Sequence, residues 1–240
     1  MVAAHQAPAA RAAVEPLIIS GEDYFRGSVI EALGDYQVNW ARPAIEKVAM
    51  LDGPLQDDAI LALGKIGDRA SLPVLANLQK AASRDTQTSL AAASCLITRE
   101  CDAHLDYLDK TLAFAAADVE YQTLLRSAAF ALGALARRGD RRALVSLLDV
   151  GEPSRDPARA AIGLALGHVA LRNATVLLDV LESRRSFDAA ASLLLDGFDM
   201  LSEDFEEERF FVAVRKAYWE APEGSSRRRV AQALIEKLEF

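Results

Sequence analysis

The sequence predicts an all-α protein, a right-handed α-solenoid of about six helical hairpins with an extra helix at each end. Three observations favour this class. Hydrophobic residues make up 51% of the chain but aromatic residues only 7%, and alanine and leucine dominate the apolar set, which is typical of closely packed helices. No segment shows the sustained apolar–polar alternation of a strand. A short glycine-ended motif recurs along the chain at nearly constant spacing, as in repeat proteins.

The recurring motif ends an apolar stretch, and its glycine marks the repeat. Ala-Leu-Gly ends at Gly34, Gly64, Gly133 and Gly167. Neighbouring copies lie roughly 30 residues apart, within the 20–50-residue periods of repeat proteins. The gap after Gly64 is about twice as long and has room for a degenerate unit, visible as the apolar run 90–96, while Gly197 ends a sixth unit. We expect these glycines to allow close helix approach or to close a helix.

Each unit is predicted to contain a first helix, a short turn and a second helix. The first helix carries apolar residues at helical spacing, as Ile60, Leu63 and Ile66 show. We place the units at residues 22–53, 54–83, 85–115, 120–151, 155–184 and 186–220, with lone flanking helices at 7–19 and 223–239. The chain, 1–240, is predicted to form a single repeat domain, and the lone helices are expected either to cap the array or to continue it in a longer chain.

Turn residues fix the register of the units. Pro43 and Pro73 stand at the same offset after the motif glycine, and proline is favoured in the first turn of a helix. Asp68 and Asp140 each follow a glycine, where a carboxylate can accept hydrogen bonds from the free N–H groups of the next helix. We expect these residues to begin the second helices.

The best copy of the repeat is the segment 57–75, with the sequence DDAILALGKIGDRASLPVL. This pattern resembles the HEAT-repeat family, most closely the short subtype found in phycobilisome lyases and many bacterial proteins. The resemblance covers residues 22–218, with weaker copies in the third and sixth units. It implies an armadillo-like α-solenoid fold. It implies little about activity, because the same scaffold serves enzymes, adaptors and regulators.

Composition and charge limit the function classes. The formal net charge is −8 at pH 7, which disfavours nucleic acid as a partner because a polyanion would be repelled. No apolar segment approaches the roughly 20 residues that span a bilayer, and residues 1–19 lack the layout of a secretory signal. We therefore expect a cytoplasmic protein with no membrane partner. Cys95 and Cys101 fit neither a metal-ligand pair nor a secreted disulfide framework, so both are expected to be reduced.

Motifs that carry chemistry are missing from the sequence. His5, His104 and His168 are widely separated, so no metal site is expected. HEAT-like metal hydroxylases use His-Glu pairs, and this sequence contains no His-Glu dipeptide. It also contains no Gly-x-Ser-x-Gly nucleophile elbow and no phosphate-binding glycine loop. We expect no catalytic residues, no metal and no cofactor.

A binding surface is predicted instead on the second helices. A solenoid places these helices along one concave wall, so their polar and aromatic residues are expected to face a partner. The candidate partner-binding residues are Trp40, Arg42, Glu46, His104, Tyr107, Arg141, Arg142, Arg172 and Asn173.

Charged runs and one aromatic cluster have two interpretations each. The basic runs 137–142 and 227–229 and the acidic run 203–208 are read as solvated helix ends and turns, rather than as binding patches. The aromatic cluster contains Phe210, Phe211, Tyr218 and Trp219. Core packing of the last units is the favoured interpretation of this cluster, and a partner-binding patch is the second.

The leading functional hypothesis is a non-enzymatic interaction scaffold or adaptor that binds another protein on its concave surface. It follows from a clear repeat without a convergent catalytic set. The resemblance to phycobilisome-lyase repeats implies a different alternative, a bilin or chromophore lyase-like protein. A nucleic-acid-binding HEAT-like protein is a third hypothesis, which the net charge of the chain disfavours.

Overall fold

The computed structural model describes residues 8–201 and 204–240, and these residues form α-helices and short 3-10 helices without a β-strand. The helices are α1 (Pro8–Ile19), α2 (Asp23–Asp35), α3 (Arg42–Ala49), α4 (Gln56–Ile66), α5 (Leu72–Leu78), α6 (Arg84–Thr98), α7 (Asp102–Ala116), α8 (Gln122–Arg137), α9 (Arg141–Gly151), α10 (Ala158–Arg172), α11 (Ala174–Glu182), α12 (Asp188–Phe198), α13 (Asp204–Glu220) and α14 (Ser226–Leu238). The predicted all-α class is confirmed.

The helices group into two compact units, which we call the N-terminal unit (Met1–Leu108) and the C-terminal unit (Asp109–Phe240). In the N-terminal unit α4 packs between α2 and α6, and in the C-terminal unit α10 packs between α8 and α12. These central helices are the predicted first helices of the repeats. Side-by-side packing of successive first helices is the arrangement expected in a solenoid-like fold. Handedness, the number of repeats and their grouping into one domain stay predictions.

Each unit has an apolar core between its helices. In the N-terminal unit Ile30, Ile45 and Ile60 are fully buried, and in the C-terminal unit Leu132 and Leu166 are as well. Such burial of aliphatic side chains is the main stabilising contribution in a protein of this kind. The apolar stripes of the sequence therefore face the interior, as predicted.

The repeated glycines lie where neighbouring first helices touch. A Cβ atom added to Gly34 would lie 2.9 Å from Cα of Ala62, and one added to Gly64 would lie 2.6 Å from Cα of Ala93. No side chain fits at either position, because the distances are shorter than a van der Waals contact and the neighbouring backbone atoms cannot easily move aside. The glycine of one hairpin thus packs on the alanine of the next, which confirms the predicted close approach.

Helix ends follow the predicted turn chemistry. Gly67 has a left-handed φ of +78°, and the following Asp68 accepts a hydrogen bond from the Ala70 N–H at 2.9 Å. Asp140 likewise accepts from the Ala143 N–H at 3.0 Å at the start of α9. Pro73 occupies the first turn of α5, as expected of a residue without an N–H to donate.

The two cysteines form a disulfide between Cys95 on α6 and Cys101 before α7. The prediction that they are reduced is wrong. α6 ends at Thr98, and Arg99 adopts a left-handed φ of 69° that turns the chain back at once. The turn brings the two Cα atoms to 4.6 Å, within the range that a disulfide requires.

One apolar helix pair stands out in the C-terminal unit. α10 and α11 together meet the length and hydropathy expected of a membrane span, but they bend by 112° at the break between them. Among the described residues, no single helix is long and apolar enough to cross a membrane.

The glycine–alanine contact gives a direct stability test. Gly64→Ala should lower the free energy of unfolding by about 1–3 kcal/mol, because the new methyl group would overlap the α6 backbone at Ala93. Gly53→Ala is the matched control, since a Cβ at Gly53 meets no atom within 4 Å. Denaturant unfolding followed by circular dichroism measures both variants. Equal stability of the two variants would contradict the proposed packing role of Gly64.

Candidate functional site in the C-terminal unit

Ion pairs join three second helices, α7, α9 and α11, and the last helix α14 into a series, which we call the ion-pair ladder. Arg142 on α9 lies 2.7 Å from the carboxylate of Asp109 on α7. Its neighbour Arg141 donates to the carbonyl of Asp179 on α11 at 2.9 Å. The Asp179 carboxylate also pairs with Arg227 at the start of α14, at 2.5 Å. The ladder therefore links four helices side by side.

The predicted partner-binding residues of this unit make contacts between helices. Arg141 and Arg142 belong to the ion-pair ladder, and Arg172 pairs with Glu206 at 2.7 Å. Asn173 caps α11 by accepting from the Val176 N–H at 3.2 Å, and its amide donates to the Arg137 carbonyl. Their role in binding a partner stays a prediction.

The remaining candidates lie in the N-terminal unit. Arg42 pairs with Glu46 at 2.8 Å and with Asp68 at 3.0 Å, and Glu46 also accepts from the Ser71 hydroxyl at 3.0 Å. Trp40 is half-buried against the core, with the Arg11 guanidinium 5.9 Å from its ring centroid. On α7, His104 is partly buried and Tyr107 is exposed. Arg42 and Glu46 thus connect two successive hairpins.

A groove of ≈ 590 Å³ opens between α11, α13 and α14 of the C-terminal unit. Its apolar lining includes Leu178 on α11, Ala213 and Ala217 along one side of α13, and Ala221 directly after α13. Alanines spaced four residues apart lie on one helix face. Their small side chains leave open space beside α13 and form the apolar floor of the groove. The volume falls within the roughly 300–1,000 Å³ of small-molecule sites.

Four charged side chains line the same groove, two of each sign. Glu182 and Arg227 form a pair at 3.3 Å, while Lys216 and Glu220 lie 3.8 Å apart with both side chains 68% exposed. Arg227 is more enclosed, with 26% of its side chain exposed. The groove therefore combines an apolar floor with both hydrogen-bond donors and acceptors.

A second groove, in the N-terminal unit, differs in its chemistry. It has a volume of ≈ 480 Å³, and Met50, Leu78, Asp52, Gln56 and Asn77 are among its lining residues. Its described lining contains carboxylate, amide and hydroxyl groups but neither lysine nor arginine. An anionic ligand is consequently better matched by the groove of the C-terminal unit.

Two adjacent aspartates begin α4 and have perturbed acidity. Desolvation by the surrounding protein raises the pKa of Asp58 to about 6, and the charges of Glu31 and Asp57 act in the same direction. Burial also raises the pKa of Asp57. Lys65 opposes the shift at Asp58 but is itself paired with Asp35 at 2.9 Å. In the sequence these two aspartates stand out only as the first residues of the repeat copy 57–75.

The aromatic cluster splits between core and surface. Phe210 is buried and packs edge-on against Phe198, with ring centroids 5.2 Å apart, and Phe211 stacks on Phe240 at 4.1 Å. Core packing is thus confirmed for the phenylalanines. Trp219, by contrast, is 74% exposed, so the core interpretation is wrong for this residue.

The charged runs also serve contacts within the protein. In the run 227–229, Arg228 stacks over the Tyr218 ring at 4.6 Å and Arg229 donates to the Gly224 carbonyl. The acidic run lies partly outside the described residues, as does His5. Within its described part, Glu206 binds both Arg172 and Arg209. These residues anchor helix ends instead of standing as isolated solvated charges.

The described helices define an all-α, solenoid-like fold with a polar groove between its last helices. Neither a protein-family model nor a curated protein matches the chain. Among solved structures, the complex of CpcE and CpcF of phycocyanin lyase from Nostoc sp. PCC7120 is similar, with 17% identity and a TM-score of 0.41 over 94% of this chain and 93% of that chain.

The similar structure is that of a phycocyanin lyase complex. It gives no support to the prediction of a non-enzymatic scaffold, which is not carried further. The alternative that the sequence resemblance implied, a bilin lyase-like protein, stays a hypothesis. The expectations of no metal, no cofactor and a cytoplasmic location stay predictions.

The ion-pair ladder can be tested at its shared residue. Asp179→Asn should lower the free energy of unfolding by about 1 kcal/mol, because two arginines lose a charged partner at a partly exposed site. The loss should shrink as salt is raised, since screening weakens the original pairs. Glu223→Gln is the control, because Glu223 is an exposed carboxylate outside the ladder. Equal effects of the two substitutions at low salt would rule out a stabilising ladder.

The acidity of Asp58 gives a pH prediction. Its carboxyl should titrate with a midpoint near the pKa of about 6, measured by carbon-detected NMR. Because the folded-state pKa exceeds the unfolded value, this group lowers stability progressively as pH rises from about 4 to about 6. Glu31→Gln should lower the midpoint by removing a nearby negative charge, whereas the exposed control Glu100→Gln should leave it unchanged. A midpoint near 4 in the unmodified protein would contradict the assignment.

Proposed function

We propose that this chain is a bilin lyase-like protein, which binds an open-chain tetrapyrrole and presents it to an acceptor protein. One observation carries the proposal: a groove of ≈ 590 Å³ with an apolar floor and charged edges lies in a chain whose repeats resemble those of phycobilisome lyases. The segment 57–75 is the clearest of those repeats. A large, flat, amphiphilic ligand suits a groove of this size and mixed lining.

The chemistry of bilin attachment requires no nucleophile from the lyase. A thiol of the acceptor adds across a carbon–carbon double bond of the bilin, so sulfur bonds to one carbon and a proton to its neighbour. Atoms and electrons balance without an oxidant or a reductant. The lyase contributes by binding the bilin and holding it near the thiol, which can accelerate the addition strongly.

A protein partner is part of this proposal, because the acceptor must approach the bound bilin. Two second helices, α11 and α13, border the groove, and the ion-pair ladder joins α11 to α9 and α14. A surface held by several ion pairs loses little conformational freedom when a partner binds. The polar residues predicted from the sequence to face a partner remain our candidates for this contact.

The proposal predicts both binding and transfer. Purified protein mixed with biliverdin should change the visible absorption spectrum of the bilin, because enclosure in a groove restricts its conformations. With phycocyanobilin and apo-phycocyanin, the protein should increase the yield of covalently coloured acceptor above the spontaneous yield. An acceptor whose attachment cysteine is replaced by serine is the control. Unchanged spectra together with an unchanged covalent yield would refute the proposal.

A further inference from the structure

We infer that the groove between α11, α13 and α14 binds the carboxylate side chains of the bilin through Lys216 and Arg227. This assignment rests on the proposed function and names the residues that would recognise the ligand. Both cations line one groove, although Lys216 lies on α13 and Arg227 begins α14. A ligand with two separate carboxylates could engage both cations at once.

Arg227 is preorganised for a carboxylate. Its Nη1 atom contacts Asp179 at 2.5 Å and Glu182 at 3.3 Å, which fixes the guanidinium in place. Both contacts use the same nitrogen, so the N–H groups of Nη2 and Nε remain as donors. Two parallel N–H donors are the arrangement that binds a carboxylate most strongly.

Lys216 is held more weakly and can change partner. Its Nζ atom lies 3.8 Å from Glu220, and both side chains are 68% exposed. Exposed pairs of this kind contribute little to stability. A ligand carboxylate can therefore replace Glu220 at Lys216 without a large loss of folding free energy.

The remaining lining matches the rest of a tetrapyrrole. Glu220, once released from Lys216, can accept hydrogen bonds from pyrrole N–H groups, and Leu178 and Ala217 offer an apolar surface to the rings. The described lining of the N-terminal groove has no cation for a carboxylate. The groove of the C-terminal unit therefore favours a ligand that combines carboxylates, N–H donors and an apolar skeleton.

Biliverdin and its dimethyl ester separate carboxylate recognition from general bilin binding. Wild-type protein should bind biliverdin roughly tenfold more tightly than the ester, as expected for the loss of a charge-assisted hydrogen bond. Lys216→Gln should weaken biliverdin binding by a similar factor and leave ester binding unchanged, while Lys216→Arg should retain most of the affinity. Absorbance titration measures all of these complexes.

Two further variants complete the experiment. Arg227→Gln should also weaken biliverdin binding, and far-UV circular dichroism checks that its fold survives the loss of the Asp179 pair. Arg185→Gln is the matched control, because Arg185 is an exposed arginine outside the groove, in the turn after α11. It should leave both affinities unchanged.

The outcomes distinguish this inference from the proposed function. Equal affinity of the wild type for biliverdin and its ester, with no effect of Lys216→Gln, would overturn the groove assignment and leave bilin binding intact. Absence of binding to either bilin would remove the proposed function, and the groove assignment with it.

Discussion

Contact between glycine and alanine on successive first helices is the constraint from which the other features follow. At Gly34 and Gly64 the backbone of one helix nearly touches that of the next, so even a methyl group would not fit. Helices this close are held in register by shape, because a shift along the axis would bring larger residues into the contact. In the C-terminal unit the contact at Gly133 is looser, because a Cβ atom added there would lie an ordinary 3.7 Å from Cβ of Ala165. The second helices are then placed by the short turns that follow.

The sequence was sufficient for the features that depend on local chemistry. Gly64, Asp68 and Asp140 could be interpreted from their neighbours alone, because close approach and helix capping require particular residue types. The disulfide was missed because it depends on Arg99, a non-glycine residue in a left-handed conformation, which the sequence pattern does not indicate. The acidity of Asp58 was missed because Glu31, which contributes to it, lies on another helix.

The groove was harder to predict, because residues from three helices and two repeats form it. One signal was present: Ala213 and Ala217 lie on one face of α13, where larger residues would fill the space. The contacts of the predicted arginines within the protein were also not predictable from the sequence. Arg141 and Arg142 were expected to face a partner, yet each pairs with a carboxylate on a neighbouring helix. In a chain with 35 acidic and 27 basic residues, an arginine on one helix readily meets a carboxylate on the next.

The ion-pair ladder and the groove share Arg227, so the two cannot be independent. The Asp179 carboxylate pairs with Arg227, and the Asp179 carbonyl accepts a hydrogen bond from Arg141. Asp179 on α11 therefore connects α14 to α9. A ligand carboxylate at Arg227 competes with Asp179 and Glu182 for the Nη1 donors unless it binds through Nη2 and Nε. Binding through Nη2 and Nε would leave the pair between Arg227 and Asp179 intact. The guanidinium would then contact three carboxylates, those of Asp179, Glu182 and the ligand. The geometry at Arg227 thus favours a ligand that approaches from the open side of the groove, where Lys216 supplies a second positive charge.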